Sequence, residues 1–321
     1  MTEEADHQLW IEKYRPQTFS EVKGHKDIVR RLEAFVQQKN IPHLLFSGPA
    51  GIGKSTLALI IAKTLFGENW HHNFLELNAS DSRGIEVIRE TVKDFARTKA
   101  LGTDLPKIIL LDESDALTKE AQQALRRTME TFTRTARFIL SANFSSKIID
   151  PIQSRCTIFR FKPLDNEAIK NIIHHVAQRE GLKIDDKTLE AITVVTKGDA
   201  RRAENILQSC SAISKTITEK LVYEIVSAAH PEEMKEVLQL AVQGSFVPAR
   251  DKLLDVMLKH GLSGEEIVKQ IQETIWNLSI SDQAKMQLIE KCGEIEFRMV
   301  EGSDEFVQIE ALLASFVLAK K

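Results

Sequence analysis

A lysine followed by a hydroxyl residue closes the run Gly48-Pro-Ala-Gly-Ile-Gly-Lys54-Ser55, which has the spacing G-x-x-x-x-G-K-[ST]. Glycines let successive backbone N–H groups turn inward around phosphate oxygens, and a following helix N-terminus adds its positive end. In that setting Lys54 neutralises β- and γ-phosphates and the Ser55 hydroxyl ligates Mg²⁺. The context fits: the apolar run Leu44-Leu45-Phe46 precedes the loop, and a helical pattern from Leu57 to Ala62 follows it. Strand, glycine-rich loop and helix make this a P-loop rather than a glycine turn with a chance lysine. Gly48, Pro49, Ala50, Gly51, Ile52, Gly53, Lys54, Ser55 and Thr56 are the expected phosphate-binding residues, and the expected ligands are a nucleoside triphosphate and Mg²⁺.

A second stretch carries the chemistry of hydrolysis. Lys107-Ile-Ile-Leu-Leu-Asp112-Glu113 is a continuous apolar run ending in two carboxylates, the pattern of a buried parallel strand that delivers acids at its C-terminal end. Asp112 fits the Mg²⁺-linked carboxylate, and Glu113 a base that polarises the attacking water. The alternative is a strand followed by an acidic turn, since Asp115 is close by. Three further positions could complete the site. Asn143 ends a later strand and could hold the lytic water or a γ-phosphate oxygen, or it is a turn asparagine. Arg155 precedes the last strand, where it is either a surface arginine or a finger that stabilises transition-state charge in cis or in trans. Arg201 opens a helix and either reaches over the nucleotide or is solvated.

The elements that must position these groups change character near Pro163. Leu44–Phe46, Phe74–Leu77, Ile108–Leu111, Arg137–Ser141 and Thr157–Phe161 read as strands alternating with helices. That alternation predicts a parallel sheet with helices on both faces. After Pro163 the strands are expected to disappear. Asp165 caps a helix through about Glu180, Asp185 or Asp186 caps another, and Gly198-Asp199 opens a third. From Pro231 onward the pattern is all helical, with Gly244, Gly261 and Gly264 as breaks. The expected division is 1–163, a nucleotide-binding α/β domain; 164–229, a small helical lid; and 230–321, an all-α domain.

Composition bounds the rest. The chain has 321 residues, 43% hydrophobic, enough for two or three domains. No window has the unbroken apolar length of a membrane span, and the opening Met1-Thr-Glu-Glu-Ala-Asp6 is acidic rather than signal-like. The three cysteines, Cys156, Cys210 and Cys292, are far apart, which suggests neither a disulfide framework nor a zinc cluster. A cytoplasmic setting follows (nuclear for a eukaryotic source), with no membrane partner. A net charge of −3 neither advertises nor excludes nucleic acid.

The segment Gly84–Lys99 reads as a helix burying Ile85, Ile88, Val92 and Phe95. Arg89, Lys93 and Arg97 recur on it as a basic stripe, with Arg83 at its entrance, which could follow phosphates without reading sequence. Glu86, Glu90 and Asp94 form an adjacent stripe, so intrahelical ion pairs on a solvated face are the competing reading.

Taken together the chain resembles the AAA+ ATPases, and more narrowly the replication factor C small subunits of sliding-clamp loaders, archaeal in type rather than eukaryotic. The resemblance covers almost the whole chain. It rests on Trp10-Ile-Glu-Lys-Tyr-Arg-Pro16, Leu77-Asn-Ala-Ser-Asp81, Asp112-Glu-Ser-Asp-Ala-Leu117, Gln123-Ala-Leu-Arg-Arg-Thr-Met-Glu130, Pro151-Ile-Gln-Ser-Arg-Cys156 and Gly198-Asp199. It implies that Tyr14, Arg15 and Pro16 pack around adenine, that Arg155 is a finger acting in trans, and that Arg201 contacts ATP in cis as sensor 2. It implies that Asn143 is sensor 1, and that Asn78 holds Glu113 away from water until DNA arrives. Arg83, Arg89 and Lys93 become the expected DNA contacts, and Arg126-Arg127 an intersubunit or nucleotide-linked element. The region around Ser82–Val87 is the expected clamp contact. Implied partners are the large subunit, other small subunits, a PCNA-type clamp and primer–template DNA. The last domain becomes an oligomerisation collar, with Leu253, Leu254, Met257 and Leu258 either packing between subunits or forming an internal core face.

Departures from the family pattern are mild. Ser55 stands for the commoner Thr, Ser114 for Ala, Ser82 for an acid, and Ala142-Asn143-Phe144 for Cys-Asn-Tyr; none removes a catalytic group. A branch-migration motor would need a winged helix near the C-terminus, where the pattern shows only helices. A stator-like scaffold would have lost the P-loop groups. A bacterial clamp loader would carry four zinc cysteines between Ser55 and Asp112, where there are none.

Overall fold

Five strands, β1 (His43–Ser47), β2 (Phe74–Asn78), β3 (Lys107–Asp112), β4 (Ala136–Ala142) and β5 (Cys156–Arg160), form one sheet in the order β2-β3-β4-β1-β5. Every pairing is parallel, with Leu44 beside Ile139 and Thr157, and Asn78 beside Asp112. The computed structural model describes residues 8–81, 84–226 and 231–318, for 84–89 and 231 as backbone only.

The sheet forms because β1, β3 and β4 are apolar on both faces, and side chains along a strand point to alternate sides. Leu44, Phe46, Ile108 and Leu110 pack on one side against Leu57, Ile60 and Ile61 of the Lys54–Phe66 helix and Leu32 and Val36 of the Lys26–Gln37 helix. Leu45, Ile109, Leu111 and Phe138 pack on the other side against Val92, Leu125 and Met129 from the helices Gly84–Arg97 and Lys119–Thr131. All the expected strands are present within a residue or two of their read boundaries.

Three helices follow the sheet, Asn166–Glu180, Asp186–Thr196 and Ala200–Ile213. Asp165, Asp185 and Asp199 cap them by accepting from the N–H groups of Ala168, Thr188 and Arg202 at 2.7, 2.8 and 2.9 Å. An N-cap carboxylate satisfies an otherwise unpaired N–H and faces the positive helix end. Strands do not wholly disappear after Pro163: Lys183–Ile184 and Thr216–Ile217 pair as a two-stranded sheet. Two-residue strands have no hydrophobic alternation to read, so sequence pattern passes over them.

The chain divides into two compact units, Met1–Thr216 and Ile217–Lys321. The expected boundary at 163 falls inside the first unit, and the one at 229 falls outside the described residues. Beyond Ile217 the described residues are helices and turns only. Their core gathers Val237, Leu238, Leu253, Met257, Ile267, Ile271, Leu288 and Phe316. Leu253 and Met257 therefore belong to an internal core face, Leu254 packs at its margin, and Leu258 is exposed. Gly244 and Gly261 sit at helix ends with positive φ, whereas Gly264 is the first residue of a helix, behind a Ser263–Glu266 capping box. Among the described residues no helix is long and apolar enough to cross a membrane.

Candidate nucleotide site

Parallel strands deliver their C-terminal ends to one edge of the sheet, where open α/β folds hold ligands. Neighbouring strands lie about 4.8 Å apart, and β3, β4 and β1 are consecutive neighbours. Asp112, Asn143 and the loop after β1 are thus brought side by side by topology alone.

The loop is shaped by backbone that only glycine tolerates well. Gly51 has φ +70°, and a Cβ there would lie 1.8 Å from Asp199 Oδ1. The Ala200 N–H donates to Gly51 O at 3.0 Å, which ties the third post-sheet helix to the loop. Gly53 is the N-cap of the Lys54–Phe66 helix with φ +92° and provides no side-chain cap. The first N–H groups of that helix are therefore available to an anion.

Lys54 is buried, 8% exposed, and its ammonium donates to Gly48 O and Pro49 O, each at 2.6 Å, and to Asn143 Oδ1 at 3.4 Å. All three ammonium donors are thus used. Burial lowers its pKa, and Asp112 and Asp115 oppose that shift. Beside it Ser55 Oγ donates to Asp112 Oδ2 at 2.5 Å, and Asp112 Oδ1 accepts the Glu113 N–H at 2.9 Å. A hydroxyl and a carboxylate oxygen in contact are hard donors of the kind Mg²⁺ takes, with phosphates and water completing its shell. Glu113 is exposed and adopts φ +52°, ψ +37°, the left-handed turn that follows β3. The Asn143 N–H donates to Asp115 Oδ1 at 3.2 Å.

These groups open into a cleft of about 920 Å³, lined by Tyr14, Arg15, Pro16, Ala50 to Thr56, Asp112, Glu113, Asn143 and Arg201. Arg15 Nε donates to Thr56 Oγ1 at 3.2 Å, and Tyr14 Oη donates to Glu180 Oε1 at 2.5 Å. Lys13 Nζ lies 2.6 Å from the same oxygen. Burial pushes Tyr14 up, and its bond to Glu180 adds to that. Gly48 and Pro49 contribute their carbonyls to Lys54 rather than surface to the cleft.

Arg155 is not in this cleft. It precedes β5 and stands at the sheet's opposite edge, because Cys156 pairs with His43, the first residue of β1. A five-residue strand separates the two edges by roughly 17 Å, farther than an arginine side chain reaches. Arg155 Nη1 donates to Pro151 O at 2.7 Å, and Nη2 meets Glu130 Oε1 at 2.5 Å. Arg126 Nε lies 3.8 Å from that same oxygen. Asn78 Oδ1 accepts both the N–H and the hydroxyl of Ser80 at 2.9 Å, and no hydrogen bond joins it to Glu113.

The basic stripe is only partly described. Arg83 lies outside the described residues and Arg89 is described as backbone alone. Lys93 is exposed, and Arg97 pairs with Asp94 at 3.5 Å, as the ion-pair reading expects. Val92 is buried and Phe95 half-buried, as the helix pattern implied.

Four residues that hold or line these groups are given no functional role by sequence reasoning. Asp115 holds the Asn143 backbone, three positions after Asp112. Buried Gln122 donates to Leu117 O and Lys147 O at 3.0 Å and accepts from Ile149 N–H at 2.8 Å, joining the segments after β3 and β4. Glu130 holds Arg155. Glu204 lines the cleft from the Ala200–Ile213 helix; a carboxylate within the stripe Ala203, Ile206, Leu207, Cys210 is the signal that could have found it.

Comparison with known proteins gives two family matches: residues 44–164 match "ATPase family associated with various cellular activities (AAA)" and residues 229–315 match "Replication factor C C-terminal domain". A replication factor C small subunit of Methanococcus maripaludis is 53% identical over 305 residues, 95% of this chain and 97% of that one. Those of Archaeoglobus fulgidus and Sulfolobus acidocaldarius are each 50% identical, the first covering 98% of this chain and 99% of its own, the second 97% and 96%. Among solved structures the Thermotoga maritima RuvB Holliday junction branch migration motor is similar in fold, with TM-score 0.56 and 20% identity over 71% of this chain and 79% of that one.

Proposed function

The chain belongs to the replication factor C small-subunit family of AAA ATPases, and from that premise we propose that its cleft binds Mg·ATP and that hydrolysis there drives loading of a PCNA-type sliding clamp onto primer–template DNA. The observation that carries the reading is the hydrogen-bonded cluster in which Lys54 reaches Asn143 while Ser55 reaches Asp112. It gathers the ends of β1, β3 and β4 into one phosphate-sized site.

In this reading the triphosphate displaces the Gly48 and Pro49 carbonyls from Lys54, whose charge then lies on the β- and γ-phosphates. Ser55 and Asp112 hold Mg²⁺, which when bound neutralises charge that develops on the phosphate oxygens. Glu113 polarises the attacking water, and Asn143, fixed through Asp115, orients that water or the γ-phosphate. Arg201 reaches the nucleotide from its own chain. Arg155, too far from its own P-loop, serves the site of an adjoining subunit, so hydrolysis depends on assembly with the large subunit and other small subunits.

In this mechanism the chain works as three parts, 1–163, 164–229 and 230–321, with the last part as the collar. Phe297 and Val300 are 66% and 64% exposed, three positions apart on one helix, which supports a packing role there. Lys93, Arg89 and Arg83 contact DNA phosphates in this reading.

The test is steady-state ATPase of the chain assembled with its large subunit, with and without clamp and primed DNA, beside Arg155→Ala. Stimulation by clamp and DNA that the variant loses while still binding ATP supports the reading. Activity indifferent to both, with the variant equal to wild type, removes it.

A further inference from the structure

Glu204 is a buried carboxylate on the cleft wall, 9% exposed, and the described residues give it no hydrogen bond or ion pair. Its carboxylate oxygens are not sealed from solvent and have the cleft to face, where a bound group can meet them. Its place along the helix says which part of a ligand. The Ala200–Ile213 helix begins against the phosphate loop, where the Ala200 N–H meets Gly51 O at 3.0 Å. Arg201 is in its first turn. Glu204 lies three residues on, about 4.5 Å farther from the phosphates along the axis. About one turn beyond Glu204, the Trp10 N–H donates to Gln208 Oε1 at 3.0 Å, which brings the Trp10–Lys13 turn alongside the same helix. Ile11, Pro16, Val22, Ile172 and Val176 line the same cleft and supply apolar surface for a flat base.

We propose that Glu204 is a base-reading residue which, as a neutral carboxylic acid, donates to N7 and accepts from the N6 amino group of adenine. One donor beside one acceptor is the arrangement with which glutamine reads adenine, whereas guanine presents two acceptors on that edge. The assignment rests on this cleft being the nucleotide seat.

The protonation state agrees with the geometry. Burial first, and then the Glu12 carboxylate, raise the Glu204 pKa to about 7, against the opposing pull of Arg201. His175 and Arg179 of the Asn166–Glu180 helix line the same cleft. The buried residues of the Asp186–Thr196 helix, which also packs on Glu204's helix, are uncharged. A triphosphate brings further negative charge, so nucleotide binding favours the protonated acid and takes up a proton.

The test is calorimetric titration of ATP and GTP into the full chain from about pH 6.5 to about pH 8.5, for wild type, Glu204→Gln, Glu204→Leu and Lys54→Ala. The amide of Glu204→Gln keeps one donor and one acceptor at every pH. Titration of the nucleotide's own phosphate is common to all chains and cancels in ratios. The expected result is a wild-type to Glu204→Gln affinity ratio for ATP that falls with pH, approaching about tenfold per unit above neutrality. Glu204→Gln should retain the preference for ATP over GTP, and Glu204→Leu should lose about tenfold of it. A pH-independent ratio overturns the proposal. A falling ratio with the preference intact in Glu204→Leu also overturns it, leaving a proton-linked residue that does not read the base. If Lys54→Ala binds ATP like wild type, the seat lies elsewhere and the underlying assignment of the cleft fails with it.

Discussion

Glu130 accepts Arg155 at 2.5 Å on the edge of the sheet remote from the P-loop, with both side chains about one-third exposed or more. An ion pair this accessible contributes about 0–1 kcal/mol to stability, so its consequence is orientation. Glu130→Ala should leave thermal stability and nucleotide binding in the chain's own cleft nearly unchanged. In the assembled complex it should slow hydrolysis by up to about tenfold, against the roughly thousandfold or greater loss of Arg155→Ala. Melting curves and assembled ATPase rates for the two variants separate orientation from packing.

Ser55 and Asp112 share one hydrogen bond, and either loss removes a hard oxygen from the place where Mg²⁺ is expected. Ser55→Ala should raise the Mg²⁺ concentration needed for half-maximal ATPase by about tenfold or more, while Ser55→Thr stays near wild type. A magnesium titration of hydrolysis reads both. Equal requirements in all three chains would detach Ser55 from the metal.

Gly51 and Gly53 both have positive φ, yet only Gly51 has a neighbour in the way. Gly53→Ala should suffer the left-handed strain alone, about 1–2 kcal/mol. Gly51→Ala adds a collision with Asp199 and should weaken ATP binding far more. Asp199→Ala, which sacrifices a helix cap worth about 1 kcal/mol, should restore part of that loss in the double variant. Affinities of the four chains complete the cycle.

His43 is buried at the start of β1, where its Nδ1 accepts the Phe138 N–H at 3.0 Å, which requires that nitrogen to be unprotonated. Burial, with Arg137 adding to it, lowers its pKa from 6.5 to about 4. The unfolded chain binds this proton first, so the contribution is complete above about pH 6.5 and is lost as pH falls toward 4, by roughly 3 kcal/mol at most. Urea unfolding of a Trp276→Phe chain, followed by the fluorescence of Trp10 and Trp70, should show that acid loss. His43→Asn, which keeps an acceptor that does not titrate, should flatten it.

The strands were legible because buried parallel strands read as unbroken apolar runs, and the caps Asp165 and Asp199 because a capping carboxylate precedes its helix by one residue, whereas two adjacent carboxylates left the choice between Asp185 and Asp186 to the structure, which uses Asp185. The P-loop and Asp112 were legible as local patterns, a glycine–lysine spacing and an apolar run ending in an acid, whereas the strand order that sets Asn143 beside them is written in no local run. What escaped was chemistry made by side chains meeting across long separations. Glu130 becomes a partner of Arg155 only after the Lys119–Thr131 helix docks on the sheet, and Glu204 becomes a buried acid only when its helix closes over the Trp10–Lys13 turn. Periodicity reports which face of a helix is apolar, and a single carboxylate on that face looks like noise until the packing is known.

The separation of Arg155 from its own P-loop along β1 and β5 gives each copy a direction. If Arg155 serves a neighbour as proposed, one edge receives a finger and the other lends one, so copies joined through these edges associate head to tail, through two unlike surfaces rather than one shared patch. An arc built this way that stops short of closing leaves one nucleotide seat without a finger at one end, and one finger with nothing to serve at the other. An arc of identical copies therefore holds unequal sites: whichever subunit sits at the receiving end hydrolyses slowly unless a different chain caps it.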